Sequence, residues 1–193
     1  MNKLSQSDLY SLDEYSAVRS DFRRQVMDHK KHRRVAIGEH AALYFEDRLT
    51  IQYQIQEMLR IEKIFKREGI REELDAYKPL VPDGANWKAT FMVEYADPAE
   101  RKNELARLIG IERALYVQVD GYDRVYPVSN EDLERETGDK TSSVHFVRFE
   151  LSEAMVAGVK QGAGVVAGIE HPRYSAETPL TAETRKSLAG DLH

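Results

Sequence analysis

The stretch FEDRLTIQYQIQEMLRIEKIF (residues 45–65) contains the strongest helical pattern in the chain. Asp47 is a good N-cap and Gly69 a good stop, so the pattern predicts one long helix over about residues 48–67. Its apolar residues recur at spacings of three and four, which is typical of a buried helix face. This stripe consists of Ile51, Ile55, Met58 and Phe65, with Leu59 beside it.

One position of that stripe is acidic. Glu62 stands where the three-and-four spacing requires an apolar residue. If the stripe faces a sheet, the carboxylate is at least partly desolvated and needs a partner or a proton. Two interpretations remain open, a rim carboxylate paired with a cation such as Lys66, or a buried acid in a functional pocket. Gln52 and Gln56 flank the stripe, either as exposed helix formers or as a polar pocket wall.

The rest of the chain alternates short helical and strand patterns. A helix is predicted over about residues 12–33, and a hairpin follows around Gly38. After the long helix come strands with one-sided alternation, separated by short helices. This order favours an α+β fold, with a mainly antiparallel sheet packed by one long central helix. We expect a single domain over residues 1–172, with its core over about 35–172, and a peripheral C-terminal arm over 173–193.

Composition excludes several classes of protein. The chain has 193 residues, no cysteine and a formal charge of −5. A chain without cysteine holds no disulfide, thiolate zinc site or cysteine-bound iron–sulfur cluster. No signal peptide or membrane span is evident, so we expect a cytoplasmic protein.

Metal and nucleotide motifs are also missing. No histidine follows an acid at the Glu-x-x-His spacing, and no His-Glu-x-x-His occurs. His29 and His32 stand three apart but lack an evident third ligand nearby. GAGVVAG (residues 162–168) has the wrong spacing for a phosphate loop. We therefore expect neither a metal nor a cofactor.

A candidate acid–base pair comes from a predicted strand. His145 alternates with Val147 and Phe149 in VHFVRFEL, so it faces the apolar side. It is either a satisfied core histidine or a catalytic partner of Glu62, since a carboxylate and an imidazole that face each other can transfer a proton. The accompanying ligand-binding candidates are Gln52, Gln56, Arg60 and Arg148.

Charge is concentrated in two segments. RRQVMDHKKHRR (residues 23–34) is strongly basic and NEDLERETGD (residues 130–139) is strongly acidic. The partner-binding candidates in the basic segment are Lys30, Lys31, Arg33 and Arg34. Clustered cations can hold nucleic-acid phosphates, but the segment lacks interleaved aromatic residues for base stacking and the net charge is negative. Protein docking and a solvated helix end are the other interpretations.

Four stretches together resemble a bacterial family, domain-of-unknown-function family 3501. They are FEDRLTIQYQIQEMLRIE, LVPDGANWKATFMVEY, KTSSVHFVRFEL and GIEHPRY, and the resemblance covers nearly the whole chain. It implies a cytosolic protein whose gene tends to lie beside genes for rubrerythrin-like di-iron proteins and iron–sulfur oxidoreductases. It brings no catalytic residues.

Three functional hypotheses follow. The first is an accessory or docking component of a rubrerythrin and iron–sulfur redox or peroxide-defence module. The second is a small-molecule enzyme or sensor with an acid–base pocket between the long helix and the sheet. The third, disfavoured by the charge balance, is nucleic-acid binding through residues 23–34. The sequence leaves homo-oligomerisation open.

Overall fold

A computed structural model describes residues 4–133 and 135–193, which form six α-helices and eight strands. The helices are α1 (Leu12–Lys30), α2 (Arg48–Ile61), α3 (Arg67–Tyr77), α4 (Pro98–Arg107), α5 (Glu153–Lys160) and α6 (Ala182–Ala189). The strands are β1 (Arg34–Ala36), β2 (Ala41–Glu46), β3 (Asn86–Val93), β4 (Leu115–Val119), β5 (Val128–Ser129), β6 (Val144–Glu150), β7 (Val165–His171) and β8 (Tyr174–Pro179). Two short 3-10 turns lie at Gln6–Asp8 and Lys78–Leu80.

The strands form two antiparallel sheets. The larger has the order β1-β2-β3-β6-β5 and the smaller β4-β7-β8. The predicted α+β class and antiparallel pairing are confirmed, including the hairpin of β1 and β2 around Gly38. Gly38 has a φ of +69°, the left-handed conformation that favours glycine in a tight turn.

The main core lies between the two sheets. Strand side chains alternate between faces, so one face of the larger sheet supplies Leu43, Phe91 and Phe149 to this core. The smaller sheet supplies Val117 and Ile169 to the same cluster. The other face of the larger sheet is turned toward α1, α2 and α3.

Helix α2 packs chiefly on other helices, which corrects the prediction that its isoleucines press onto a sheet. Ile51, Ile55 and Leu59 share a cluster with Leu4 and Leu74. On its neighbouring side, α2 places Tyr53 in a second cluster, made with Tyr15, Phe22 and Val26 of α1. The three N-terminal helices therefore form their own layer.

The prediction of one long helix over residues 48–67 is wrong, because α2 ends at Ile61. The predicted N-cap is confirmed, since Asp47 accepts a hydrogen bond from the Thr50 amide at 2.9 Å. At the other end Lys63 has a φ of +54°, and the Ile64 amide donates to the Leu59 carbonyl at 2.9 Å. This six-to-one bond over a left-handed residue is the Schellman arrangement, and it turns the chain into α3.

The C-terminal segment, predicted as a peripheral arm, is part of the core. Strand β8 pairs with β7 along its length, and Leu188 and Leu192 are buried in the main cluster. The Trp87 indole also donates to the Leu188 carbonyl at 3.0 Å. A Ser/Thr-rich composition suggested an arm, but three buried leucines, of which Leu180 is the first, anchor the segment.

A buried ion cluster fastens α6 to the end of α1. Arg33 is 2% exposed, and its guanidinium lies 2.5 Å from Asp191 and 3.5 Å from Asp47. It also donates to the carbonyls of Phe45 and Glu46, each at 3.0 Å. Burial raises the pKa of Asp191 to about 6, although the charge of Arg33 opposes this rise. One cation therefore neutralises two carboxylates and binds two backbone carbonyls.

We expect Arg33→Met to lower the free energy of unfolding by about 3–5 kcal/mol, because it leaves the buried Asp191 carboxylate without its cation. Urea denaturation measures this. The matched control is Lys31→Met, which removes a pair with Asp28 that is largely exposed, and should cost less than about 1 kcal/mol. Equal stability of the two variants would contradict this role for the cluster.

Candidate functional site

The structure separates the two residues predicted to exchange a proton. Glu62 is the C-cap residue of α2, and its side chain is exposed, so the predicted desolvated acid is wrong. His145 is completely buried, on the face of β6 that turns toward the main core. Arg148 and Phe146 lie on the opposite face of that strand, the face turned toward Glu62. Glu62 and His145 therefore form no acid–base pair.

The glutamines bind the N-terminal segment. The Gln56 side chain is fully buried, and its oxygen accepts from the Tyr10 amide at 2.6 Å. The Gln52 side chain donates to the Asp8 carbonyl at 2.6 Å. Both amides thus hold the residues that precede α1, and they are neither exposed helix formers nor a shared pocket wall. Arg60 is exposed and pairs with Glu57 on its own helix.

Of the predicted site residues, Glu62 and Arg148 do share a cavity. It lies between the helical layer and the larger sheet, has a volume of about 570 Å³, and adjoins a second cavity of about 790 Å³. Tyr77, Leu80 and Phe146 line both cavities. We call the two together the helix–sheet groove. The Arg148 guanidinium is paired there with Glu131 and Glu150.

A different polar site surrounds His145. Its Nδ1 lies 3.0 Å from Asn130 Nδ2, and its Nε2 lies 3.0 Å from the Ser142 carbonyl and 3.1 Å from the Thr141 hydroxyl. Burial lowers the pKa of the imidazole below its usual value, although the nearby Glu112 carboxylate opposes this effect. A neutral ring with its proton on Nε2 satisfies the contacts with Ser142 and Asn130, because Nε2 donates to the Ser142 carbonyl while Nδ1 accepts from the Asn130 amide.

His145 thereby orients the Asn130 side chain. Nδ2 of this amide is engaged by the imidazole, so its Oδ1 is the atom left for another partner. Asn130 follows β5 with a φ of +56°, in the left-handed region that asparagine tolerates better than most residues. Its backbone amide donates to the Phe146 carbonyl at 2.8 Å. The strand pairing and the histidine together hold the residue in this conformation.

Glu112 lies in the wall of the same site. It is 2% exposed and lies in the turn that joins α4 to β4. Gly110 opens this turn with a φ of +85°, and its amide donates to Glu136 at 2.8 Å. Arg113 donates to Glu112 Oε1 at 2.9 Å and to Glu136 at 3.2 Å. Oε1 is therefore satisfied, but Oε2 is not.

Three buried polar atoms without partners belong to one cleft. Glu112 Oε2, Asn130 Oδ1 and Arg135 Nε have no hydrogen-bond partner among the described residues. All three residues line a cleft of about 450 Å³, whose wall also includes Arg113 and Glu136. We call it the polar cleft. Buried polar atoms in native proteins are nearly always hydrogen-bonded, so their convergence here makes the cleft a candidate binding site.

The polar cleft combines opposite charges. Glu112 and Glu136 supply two carboxylates, and Arg113 and Arg135 supply two guanidinium groups. Its atoms without a partner are two acceptors, Glu112 Oε2 and Asn130 Oδ1, and one donor, Arg135 Nε. Such a set suits a small ligand that carries N–H or O–H donors at one end and an acceptor at the other.

Sequence reasoning missed Glu112, Asn130 and Arg135. Glu112 follows the apolar run LIGI in LIGIERALY, and a lone acid in an apolar context is the signal that could have singled it out. Asn130 and Arg135 fall in the segment 130–139, which stood out in the sequence only for its acidic charge. Glu134 of that segment lies outside the described residues.

The basic segment offers fewer free cations than predicted. Arg33 is buried, so its assignment as a partner-binding residue is wrong. Lys31 is paired with Asp28, and Arg34 with Glu94. Lys30 borders the helix–sheet groove, and its ammonium lies 5.9 Å from the centre of the Tyr53 ring.

Two further properties bear on function. Within residues 4–133 and 135–193, no group of three or more His, Asp or Glu side chains is arranged to hold a metal ion. Among the helices of these ranges, none combines the length and the hydropathy of a membrane-spanning segment.

The chain is similar in sequence and in structure to other proteins. A family model described as a protein of unknown function (DUF3501) matches residues 3–192. A solved structure, described as a novel protein of unknown function from Burkholderia pseudomallei K96243, is similar over 100% of both chains. That chain is 49% identical and superposes with a TM-score of 0.94. The search among curated proteins gave no match.

We expect stability to depend on the His145 proton. Because the folded-state pKa is lowered, the neutral ring contributes stability that is fully present above the ordinary pKa of about 6.5. This contribution is lost as the pH falls below about 6.5 toward the lowered folded-state pKa. The free energy of unfolding, measured by urea titration at several pH values, should therefore decrease more steeply on acidification in the native protein than in His145→Gln. Parallel pH profiles would contradict the neutral buried ring. His32→Gln, at an exposed histidine, is the control and should leave the profile unchanged.

Proposed function

The chain belongs to the DUF3501 family of proteins of unknown function, and we propose that it binds a small zwitterionic molecule in the polar cleft. The observation that carries this proposal is the Oε2 atom of Glu112, a buried carboxylate oxygen with no partner among the described residues. An unsatisfied buried polar atom costs about 1–3 kcal/mol, and more when the group is charged. A ligand that donates a hydrogen bond to this oxygen removes that cost.

The ligand class follows from the remaining groups. Asn130 Oδ1 is a second acceptor beside the carboxylate, so both suit an ammonium group or a similar N–H donor. Arg135 Nε is a donor on the same wall, and it suits a carboxylate or carbonyl oxygen. A free amino acid, or another molecule of that size with both charges, meets both requirements. The cleft volume of about 450 Å³ lies within the usual range for small-molecule sites.

His145 acts in this proposal as a positioning residue. It engages the Asn130 amide through Nδ1 and so directs Oδ1 toward the ligand. It makes no contact with the ligand itself, which replaces the acid–base role predicted from the sequence. The acidic group of the pocket is Glu112 in place of Glu62.

A second proposal is the docking role in a redox module that the family resemblance implies. One observation favours the segment 126–133 as its surface. Tyr126, Val128 and Leu133 are exposed apolar side chains, at 51%, 43% and 54%, next to the acids Glu131 and Asp132. Exposed apolar groups with an acidic rim suit a protein partner with a basic rim. The segment includes Pro127, Ser129 and Asn130 of the polar cleft, so a docked partner would border the bound ligand.

We expect calorimetric titration to detect binding of free amino acids, and Glu112→Gln to weaken it by at least about tenfold, because a charge-assisted hydrogen bond to the buried oxygen is lost. The matched control is Glu72→Gln, at an exposed glutamate of α3. Amines that lack the carboxylate, and acids that lack the amine, should bind more weakly than the zwitterion. Failure of every amino acid to bind, or equal binding by the Glu112→Gln variant, would reject the proposal.

For the docking proposal, we expect the protein to recover a rubrerythrin-like or iron–sulfur protein from its native host at low salt, and less at high salt, because salt screens rim charges. Leu133→Asp should reduce recovery, since it places a charge among the exposed apolar groups. Phe65→Asp is the control, because Phe65 is 72% exposed and lies on the α2–α3 turn. Recovery of neither class of partner at low salt would reject this role.

A further inference from the structure

The helix–sheet groove is larger than the polar cleft and is lined differently. It lies on the opposite face of β6 from His145, beneath the layer formed by α1, α2 and α3. Its larger cavity, of about 790 Å³, falls within the range of ligand-binding pockets. Neither the pairing of the strands nor the helix contacts close it, because α2 directs its buried side chains mainly toward its helical neighbours.

The groove has an apolar and adaptable lining. Its floor includes Met92, Val144 and Phe146 of the sheet, and its roof includes Met27 and Met58 of the helices. Three of the five methionines of the chain thus line this one space. Methionine is flexible and polarisable, and it recurs where a protein surface must fit a flexible apolar ligand.

Charge divides the groove into two ends. Lys30, Lys31 and Arg34 border the larger cavity, where Lys31 is also paired with Asp28 and Arg34 with Glu94 on the protein surface. Among the described residues, the acid that borders this cavity is Glu46, which accepts hydrogen bonds from the Thr50 and Thr90 hydroxyls at 2.6 Å and 2.9 Å. The smaller cavity is bordered by more acids than bases, namely Glu62, Glu73, Glu131 and Asp132 against Lys88 and Arg148. A negatively charged group is therefore attracted to the end formed by α1 and β1, and repelled from the other.

From this arrangement we propose that the helix–sheet groove binds a medium-chain alkyl carboxylate. The carboxylate lies at Lys30, beside the paired Lys31 and Arg34, and the alkyl chain runs across the sheet over Met92 to Phe146. Strands β1 and β6 are three positions apart in the larger sheet. At ~4.8 Å per strand, the distance between them is about 14 Å. An extended alkyl chain of about ten to twelve carbons has this length. This inference does not depend on the ligand proposed for the polar cleft.

The test uses the full chain and dodecanoate, kept below its micelle concentration, in calorimetric titration. We expect one molecule to bind per chain, and dodecylammonium, which has the same alkyl chain and the opposite charge, to bind at least about tenfold more weakly. Lys30→Glu should lower the affinity for dodecanoate by about tenfold, because it reverses the charge of a half-buried cation beside the carboxylate. Lys102→Glu, at an exposed position of α4, is the matched control and should bind like the native protein.

A second variant tests the path of the alkyl chain. Met92→Trp places a larger side chain on the groove floor and should abolish dodecanoate binding, while a thermal melt confirms that the variant is folded. If Met92→Trp does not fold, the dodecanoate affinity of Lys30→Glu tests the proposal by itself. Glu112→Gln should leave dodecanoate affinity unchanged, which separates this site from the polar cleft. Absence of dodecanoate binding, or unchanged affinity in Lys30→Glu, overturns the inference, as does equal binding of dodecylammonium.

Discussion

The antiparallel pairing of β3 with β6 determines which side chains of the larger sheet enter the core and which face the groove. Seven residue pairs, from Asn86 with Glu150 to Met92 with Val144, hold the two strands in a single register. Because successive side chains point to opposite faces, a shift of one residue would exchange the core face for the groove face. In the observed register, Phe91, Val147 and Phe149 enter the core between the sheets, while Met92 and Phe146 are left to line the groove.

This constraint puts two candidate sites on opposite faces of one strand. His145 lies at the inner face and orients Asn130 in the polar cleft, whereas Phe146, its neighbour, lines the helix–sheet groove. Segment 128–133 contacts both, since Ser129 and Asn130 line the cleft and Glu131 pairs with Arg148 in the groove. The two linings differ in polarity, since charged and amide groups line the cleft and methionine and aromatic side chains line much of the groove.

The termini are held by buried polar groups as well as by apolar packing. Arg33 connects the end of α1 to Asp191 beyond α6, and Gln56 holds the backbone of Tyr10 ahead of α1. Such contacts join residues far apart in sequence, so each depends on the whole fold being in place. They also explain why charged or polar residues that suggested function from their composition, Arg33 and Gln56 among them, are structural.

The sequence by itself determined what depends on neighbouring residues. Strand alternation correctly placed His145 on the apolar side of β6, and cap chemistry correctly began α2 at Asp47, because both follow from local spacing. Helical periodicity gave the wrong prediction for residues 62–65. The apolar spacing predicts that the helix continues through them, but Lys63 adopts the left-handed conformation and the helix ends at Ile61. Only the tertiary structure decided that Glu112, Asn130 and Arg135 share one cleft, since they come from separate parts of the chain. No spacing rule links them, and their missing hydrogen bonds become visible only once the strands and turns that bury them are in place.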